Sequence, residues 1–408
     1  MGIKGWMRRH GADLRGRLIA ITGTTGGLGQ ELCGYLAELG ADLILLDRNP
    51  RRSQALRQSL LQRFPDRSVE CLTVDLEDAA AVKRVTEQLE SRPIDVFVHN
   101  AGAYSIPHHV CDETGYDNVF QINFVSPYYM IRRLLPLLRR RGGRAVVVGS
   151  IAHNYSKADP ADVDFSTRKA ASKVYGNAKR YLMYGTAELM KNETEASLSI
   201  AHPGITFTNI TAHYPKVIFA IIKHPMKVIF MKPRKAALCI LSGILSPAGS
   251  EAWIGPRLFE VWGYPARKRL RTATEAEREL IAARAEEAYA RMEAVGEKMD
   301  LSYYHYWDDQ IKEITSEGIF FTDDRSISFS ECVENYSETY HLLDCNCVGE
   351  RDAAKLMFVF HTSSVSVTLR FRKRSRFAEL LSRENARKRF RDLQTRIVEL
   401  GYSTYDMA

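Results

Sequence analysis

The stretch Leu18-Ile-Ala-Ile-Thr-Gly-Thr-Thr-Gly-Gly-Leu-Gly29 places an apolar, β-branched run directly before a Gly-rich turn, with helix-forming residues after it. The spacing is T-G-x-x-x-G-x-G, with Gly23, Gly27 and Gly29 at the marked positions and Thr24, Thr25 and Leu28 between them. Glycine at position 23 takes a tight turn that a side chain blocks. Gly27 lets a pyrophosphate approach the backbone, and Gly29 lets the helix pack close to the sheet. The phosphates then meet the free N–H groups and positive dipole at the helix start. A Gly-rich motif alone is a weak sign; the strand before it and the helix after it supply the context it requires.

The same alternation continues outward. Strand-like runs recur at Leu18–Thr22, Asp42–Leu46, Val69–Val74, Ile94–His99, Arg144–Val148 and Ala196–Ala201, separated by stretches of helical period such as Leu28–Leu39, Ser53–Phe64 and Ala79–Leu89. Strands alternating with helices predict an α/β fold: a doubly wound parallel sheet of Rossmann type with helices on both faces. The strands are nearly all apolar, as burial on both faces demands. This domain is expected over 17–296, after a basic N-terminal extension, 1–16.

Asp47 ends the second strand, where a carboxylate accepts from an adenosine ribose 2′-OH and repels a 2′-phosphate. Gly26 adds no charge to the loop. Arg48 follows Asp47 and is able to pair with a phosphate instead. The expectation is NAD(H), with NADP(H) as the alternative. Asp75, with Leu76 beside it, ends the third strand and is placed either to accept from the adenine amino group or to serve as a helix N-cap or surface acid.

Tyr175 and Lys179 are four residues apart on a predicted helix and share one face. A free tyrosine has a pKa near ~10 and is a poor base at neutral pH. A nearby ammonium stabilises the phenolate and is expected to lower that pKa. On its own, Y-x-x-x-K is common by chance and reads first as a surface pair. Ser150 ends the fifth strand, at the carboxyl edge where ligands bind in such sheets, and is able to donate to a substrate oxyanion. Asn100, Ala101 and Gly102 follow the fourth strand and are expected at the site floor. Asn123 falls inside a helical stretch, an unfavourable place unless its amide has a task, such as holding a water linked to Lys179.

Taken in order, these landmarks make residues from about 17 to 265 resemble the short-chain dehydrogenase/reductase family. The resemblance implies Tyr175 as acid/base, Lys179 on the nicotinamide ribose, Ser150 orienting the substrate oxygen and Asn123 supporting a proton relay. Pro203-Gly204, followed by Thr206 and Thr208, resembles the segment that closes over the nicotinamide. His99 stands where Asn is usual and Gly149 where Ser is frequent. The long interval between Ser150 and Tyr175 resembles the retinol- and steroid-handling branch, and its insert, with Asp162, Asp164 and Arg168, is expected near the substrate entrance. The implied partner is a small lipophilic alcohol or ketone. The resemblance also implies a homo-oligomer formed through the helices carrying Asn123 and Tyr175, which an extra C-terminal unit would block.

Residues 205–245 mix apolar residues with Lys216, Lys223, Lys227 and Lys232 and are cut by Pro225 and Pro233. They are expected as a lid of two short helices, packed on the domain or also resting on a membrane surface. A helix is expected over about 273–295. Beyond it, 301–408 reads as a small α+β domain, with strands at Gly318–Phe321, Lys355–His361 and Ser364–Phe371 and a helix at Phe377–Leu400. Its basic residues, from Arg370 to Arg391, suit a solvated face, an anionic lipid surface or a partner; no nucleic-acid motif is present, and no nucleic acid is expected.

Hydrophobic and charged fractions of 45% and 26% are those of an ordinary globular protein, and the net charge is +8. The seven cysteines show no metal-site spacing or disulfide framework, so no metal is expected. No apolar run approaches the about 20 residues that cross a bilayer, and residues 1–17 lack a signal-peptide core. The expected location is cytoplasmic, or peripheral at a membrane. The favoured function is a nicotinamide-dependent oxidoreductase; the alternative is a dinucleotide-sensing regulatory protein whose basic C-terminal unit binds a lipid surface or partner.

Overall fold

The computed structural model describes residues 2–204, 231–247 and 249–295, together with six strands between 311 and 372. The chain divides into two units, Met1–Val295 and Gly296–Ala408. The first is built on strands β1 Leu18–Thr22, β2 Asp42–Asp47, β3 Val69–Thr73, β4 Ile94–His99, β5 Arg144–Val148, β6 Ser197–Ala201, β7 Ala252–Leu258 and β8 Trp262–Arg269. Their order is β3-β2-β1-β4-β5-β6-β7-β8. All neighbours are parallel except β8, which runs antiparallel to β7 at the sheet edge. This is the expected doubly wound sheet. Its strand order reverses between β1 and β4, and a ligand crevice forms outside the carboxyl ends of the strands at that point.

Two cores follow from helices on both faces. On one face Phe97, Val147 and Ile200 pack with the helices Ala79–Glu90, Ser126–Arg141, Ala171–Leu189 and Glu275–Ala294. On the other, Ile19, Ile21, Val98 and Val146 pack with Gly27–Glu38, Pro50–Arg63 and Pro233–Leu245. The basic N-terminal residues join this second core: Ile3–His10 is helical and buries Trp6 among its residues.

Two expectations need correction. The lid does not extend to 245. Pro233–Leu245 is one helix, started by its proline at the first position, and Ala236–Leu241 are wholly buried against the sheet. The expected lid residues 205–230 lie outside the described residues. The hairpin β7–β8 was not expected at all.

In the second unit, β9 Ile311–Ile314, β10 Gly318–Phe321 and β11 Ser326–Ser328 form an antiparallel sheet in the order β11-β10-β9. β12 His341–Cys345, β13 Lys355–His361 and β14 Ser366–Arg372 form another, in the order β12-β13-β14. The helix expected over Phe377–Leu400 lies outside the described residues.

Candidate active site

The Gly-rich turn closes against the end of β4. Gly23 has φ +69°, and a Cβ there would lie 2.7 Å from the Ala101 Cα. A Cβ on Gly29 would collide with the Gly23 carbonyl and sit 2.7 Å from the Thr24 Cα. Asn100 stitches the other side: its Nδ2 donates to the Thr22 carbonyl at 3.1 Å and the Gly23 carbonyl at 2.9 Å. Thr22 Oγ1 accepts from the N–H groups of Asn100 and Ala101 at 3.1 and 3.0 Å. A cavity of about 530 Å³ opens at the switch point, lined by Gly23, Thr25, Gly27, Leu28, Gly29, Arg48, Asp75, Leu76, Asn100, Ala101 and Gly102. Thr24 is fully buried beneath it. A glycine cradle of this shape, at a helix N-terminus, fits the pyrophosphate of a dinucleotide.

Asp47 lines the cavity but is only 3% exposed. Its carboxylate accepts from the hydroxyls of Thr24, Thr25 and Ser53 and from the Thr25 N–H. With both oxygens engaged, it braces the turn. The exposed groups at that end are cationic: Arg48 and Arg52 both line the cavity, with Arg48 3.9 Å from Asp75. Asp75 is not the N-cap of the next helix; Asp78 takes that place through the Ala81 N–H.

The chemical groups meet just beyond Gly102. A Cβ on this residue would lie 2.9 Å from Asn123 Oδ1 and 3.4 Å from Lys179 Nζ. Asn123 sits in a π-helical stretch, Gln121–Val125, of the helix that continues as Ser126–Arg141. Such a widened turn is common at functional sites. Its Nδ2 donates to the carbonyls of Ala103 and Val119 at 2.9 and 2.8 Å, and its Oδ1 accepts from the Ala103 N–H at 3.3 Å. The amide's task here is therefore to fix the loop after β4. Lys179 Nζ donates to the Val148 carbonyl at 3.0 Å and lies 5.7 Å from the centre of the Tyr175 ring. Tyr175 has the Ser150 hydroxyl as a hydrogen-bond partner. Sequence order thus becomes one cluster of Ser150, Tyr175, Lys179 and Asn123.

Comparison with known proteins bears on the family. Residues 17–214 match the short chain dehydrogenase family. Retinol dehydrogenase 14 of Mus musculus is 30% identical over 215 residues, 49% of this chain and 64% of that protein. The chloroplastic short-chain dehydrogenase TIC 32 A of Brassica napus is 26% identical over 219 residues, 50% of this chain and 68% of that protein. The matched residues place the first unit of the chain in the short-chain dehydrogenase/reductase family. That family supports a nicotinamide-dependent oxidoreductase. Among solved structures, an uncharacterized protein from Mycobacterium Paratuberculosis superposes with a TM-score of 0.52 at 23% identity, covering 68% of this chain and 92% of that one. That likeness speaks to the fold alone.

The electrostatics of this site differ from the simple tyrosine–lysine picture. Burial raises the Tyr175 hydroxyl to about 12, against the opposing pull of Ser150, although the ring keeps a partly exposed edge. Burial also lowers Lys179 to about 7. The ammonium was expected to lower the tyrosine pKa, but burial acts against the charged form of both groups. His99, in place of the usual Asn, is buried. Its Nδ1 lies 3.1 Å from Thr22 Oγ1, and burial together with Lys179 holds it neutral.

The insert before Tyr175 organises itself. Asp162 accepts from Thr167 and Arg168, Asp164 accepts from the Asp117 N–H at 2.8 Å, and Phe165 packs with Val119, Val174, Ile106 and Tyr175. Pro203 and Gly204 follow β6, Gly204 with φ +81°. Thr206 and Thr208 lie outside the described residues.

Sequence reading missed Thr22, Arg52, Tyr104 and Arg180. Tyr104 packs edge-on to Tyr175 with ring centres 5.3 Å apart. Arg180 is the largest fully buried side chain; it pairs with Glu277 and donates to the His153 carbonyl at 2.8 Å. Arg52 stands in the first turn of the helix Pro50–Arg63, where no motif marks it; Tyr104 and Arg180 make contacts that only the tertiary fold defines. Among the described residues no group of His, Cys, Asp and Glu is arranged to hold a metal.

Proposed function

We propose that this protein interconverts a lipophilic alcohol and its carbonyl compound using NADP(H), with Tyr175 as the general acid/base. The observation that carries the reading is the grouping of Ser150, Tyr175 and Lys179, with Lys179 beside Gly102, a residue that lines the glycine-rich cavity. The nicotinamide, when bound, supplies or accepts the hydride. Tyr175 Oη moves the proton to or from the substrate oxygen. Ser150 Oγ orients that oxygen and donates to the charge that develops on it. Lys179 Nζ, held by the Val148 carbonyl and 5.7 Å from the centre of the Tyr175 ring, would hold the nicotinamide ribose. Neutral at higher pH and charged at lower pH around its value of about 7, it is tuned for proton passage at physiological pH.

The cofactor preference rests on the occupied Asp47 and the exposed cationic residues Arg48 and Arg52. Two guanidinium groups at the adenosine end suit a 2′-phosphate. The apolar neighbours of Tyr175, namely Tyr104, Ile106 and Phe165, support a lipophilic substrate. A panel of lipophilic alcohols and ketones, read by absorbance of the reduced nicotinamide, tests the activity. The Tyr175→Phe protein is expected to turn over any accepted substrate about 10²- to 10⁴-fold more slowly while still binding NADPH. Equal turnover by Tyr175→Phe refutes the assigned role.

A further inference from the structure

The hairpin β7–β8 ends in a turn that is poorly suited to its residues. The Leu258 carbonyl accepts from the Val261 N–H at 3.0 Å, and the two central residues, Phe259 and Glu260, have φ +51° and +61°. Such left-handed turns favour Asn and Gly, and bulky side chains there are strained. Yet Phe259 is 93% exposed, with Leu258 at 54% and Trp262 at 42% on either side. A residue that strains the backbone and leaves its ring in water contributes nothing evident to folding. Strain of this kind points to a task outside the fold.

The charge around the tip indicates what that task is. The described residues from 231 to 271 contain eight Lys and Arg but only two acids, Glu251 and Glu260. Arg257, Arg267 and Arg269 are exposed on the hairpin itself, while Glu260 is engaged by Lys268 at 3.4 Å. An aromatic and aliphatic tip flanked by arginines matches the two layers of a lipid surface: apolar groups enter the acyl boundary and cations meet anionic head groups.

We propose that the β7–β8 hairpin docks the protein on an anionic lipid surface, with Phe259, Leu258 and Trp262 inserted and the arginines on the head groups. The turn of the hairpin adjoins Gly204, which follows β6: a Cβ on Gly204 would lie 2.8 Å from the Val261 carbonyl. Docking there sets the flank of the reaction site against the phase in which a lipophilic molecule partitions. The docking itself is independent of the proposed reaction and is tested without turnover.

The test is co-sedimentation of the full chain with vesicles of equimolar phosphatidylcholine and phosphatidylglycerol, and with phosphatidylcholine alone. The wild type is expected to pellet with the anionic vesicles, to release in molar sodium chloride and to ignore the neutral ones. Phe259→Asn keeps a residue that tolerates positive φ, so its melting temperature should be unchanged or higher while its vesicle affinity falls at least about tenfold. Arg267→Glu with Arg269→Glu should abolish pelleting and leave NADPH binding intact. Failure of the wild type to pellet, or Phe259→Asn binding vesicles as the wild type does, overturns the proposal. So does a self-associated wild type that Phe259→Asn converts to monomer without any vesicle binding, which would make a second copy the occupant.

Discussion

Asp47 shows how far a single position is legible. The sequence places a carboxylate at the end of β2, and the structure keeps it there. What the sequence does not reveal is that Thr24, Thr25 and Ser53 converge on its two oxygens from the loop and the next helix. A hydrogen-bond acceptor is defined by what remains free, and that is a tertiary property. By contrast Gly23, Gly29, Ser150, Tyr175 and Lys179 were legible because each is tied to a strand end or a helix face that periodicity locates. The exchange of roles at the adenosine end has a direct consequence. Arg48→Ala and Arg52→Ala should each weaken NADPH binding by roughly tenfold and leave NADH binding within about twofold, as measured by fluorescence titration. Equal losses for both cofactors would remove the 2′-phosphate from the account.

At the scale of elements, helices with a clear period and capped starts were readable, and the failures have physical causes. Pro233–Leu245 was read as lid because Pro225, Pro233 and the lysines before it suggested broken amphipathic pieces; a proline at the first helical position instead starts an uninterrupted buried helix. β7 and β8 were hidden by Pro256 and Pro265, which stand opposite one another in the hairpin, and by the basic run at the end of β8. Proline in a strand is tolerated at a sheet edge, and β8 is the edge.

Arg180 links four elements around the site. It donates to both Glu277 oxygens at 2.6 Å, to the His153 carbonyl and to the Thr272 carbonyl at 2.7 Å, while Glu277 also accepts from the Ala158 N–H. Burial alone would raise the Glu277 carboxyl, but the bonds from Arg180 outweigh it and the net shift is downward. Removing one partner of a buried pair strands the other. Arg180→Met should cost roughly 3–5 kcal/mol of stability in chemical denaturation. A loss below about 1 kcal/mol would show that the pair is dispensable.

For the molecule as a whole, the helix Glu275–Ala294 covers the face that family resemblance reserved for a second copy. Gly185 brings Ile281 and Ala285 within contact distance of the Tyr175 helix, Tyr129 stacks on Tyr289, and Glu286 binds Tyr128 and Arg132. The expected route to an oligomer is closed by the chain itself. Sedimentation velocity should show no dimer built on that face, and a dimer cross-linked through the Ser126–Arg141 helices would contradict this.

Acid should unfold the protein for a reason centred behind Ser150. Burial lowers His153 and His202 from the usual histidine value to about 4 each. The unfolded chain binds these protons first, so stability is complete above about pH 6.5 and falls as the pH drops toward 4. Each histidine contributes on the order of 3 kcal/mol over that window. Denaturation midpoints measured between pH 7 and pH 4 should fall steadily, and less steeply in His202→Asn if that variant folds. A flat profile would mean the imidazoles are not desolvated.

The first unit was readable as a whole because its pattern repeats; the basic second unit offered strands at Gly318–Phe321 and Lys355–His361 but no motif that ties them to a chemistry. The central claim therefore rests on the nucleotide cavity, and titration of the full chain with NADPH and NADH tests it most directly. The account predicts saturable binding of both reduced cofactors at one site, NADPH tighter by about tenfold or more. Absence of binding by either would contradict the oxidoreductase reading, and tighter binding of NADH would contradict the assignment of Asp47, Arg48 and Arg52.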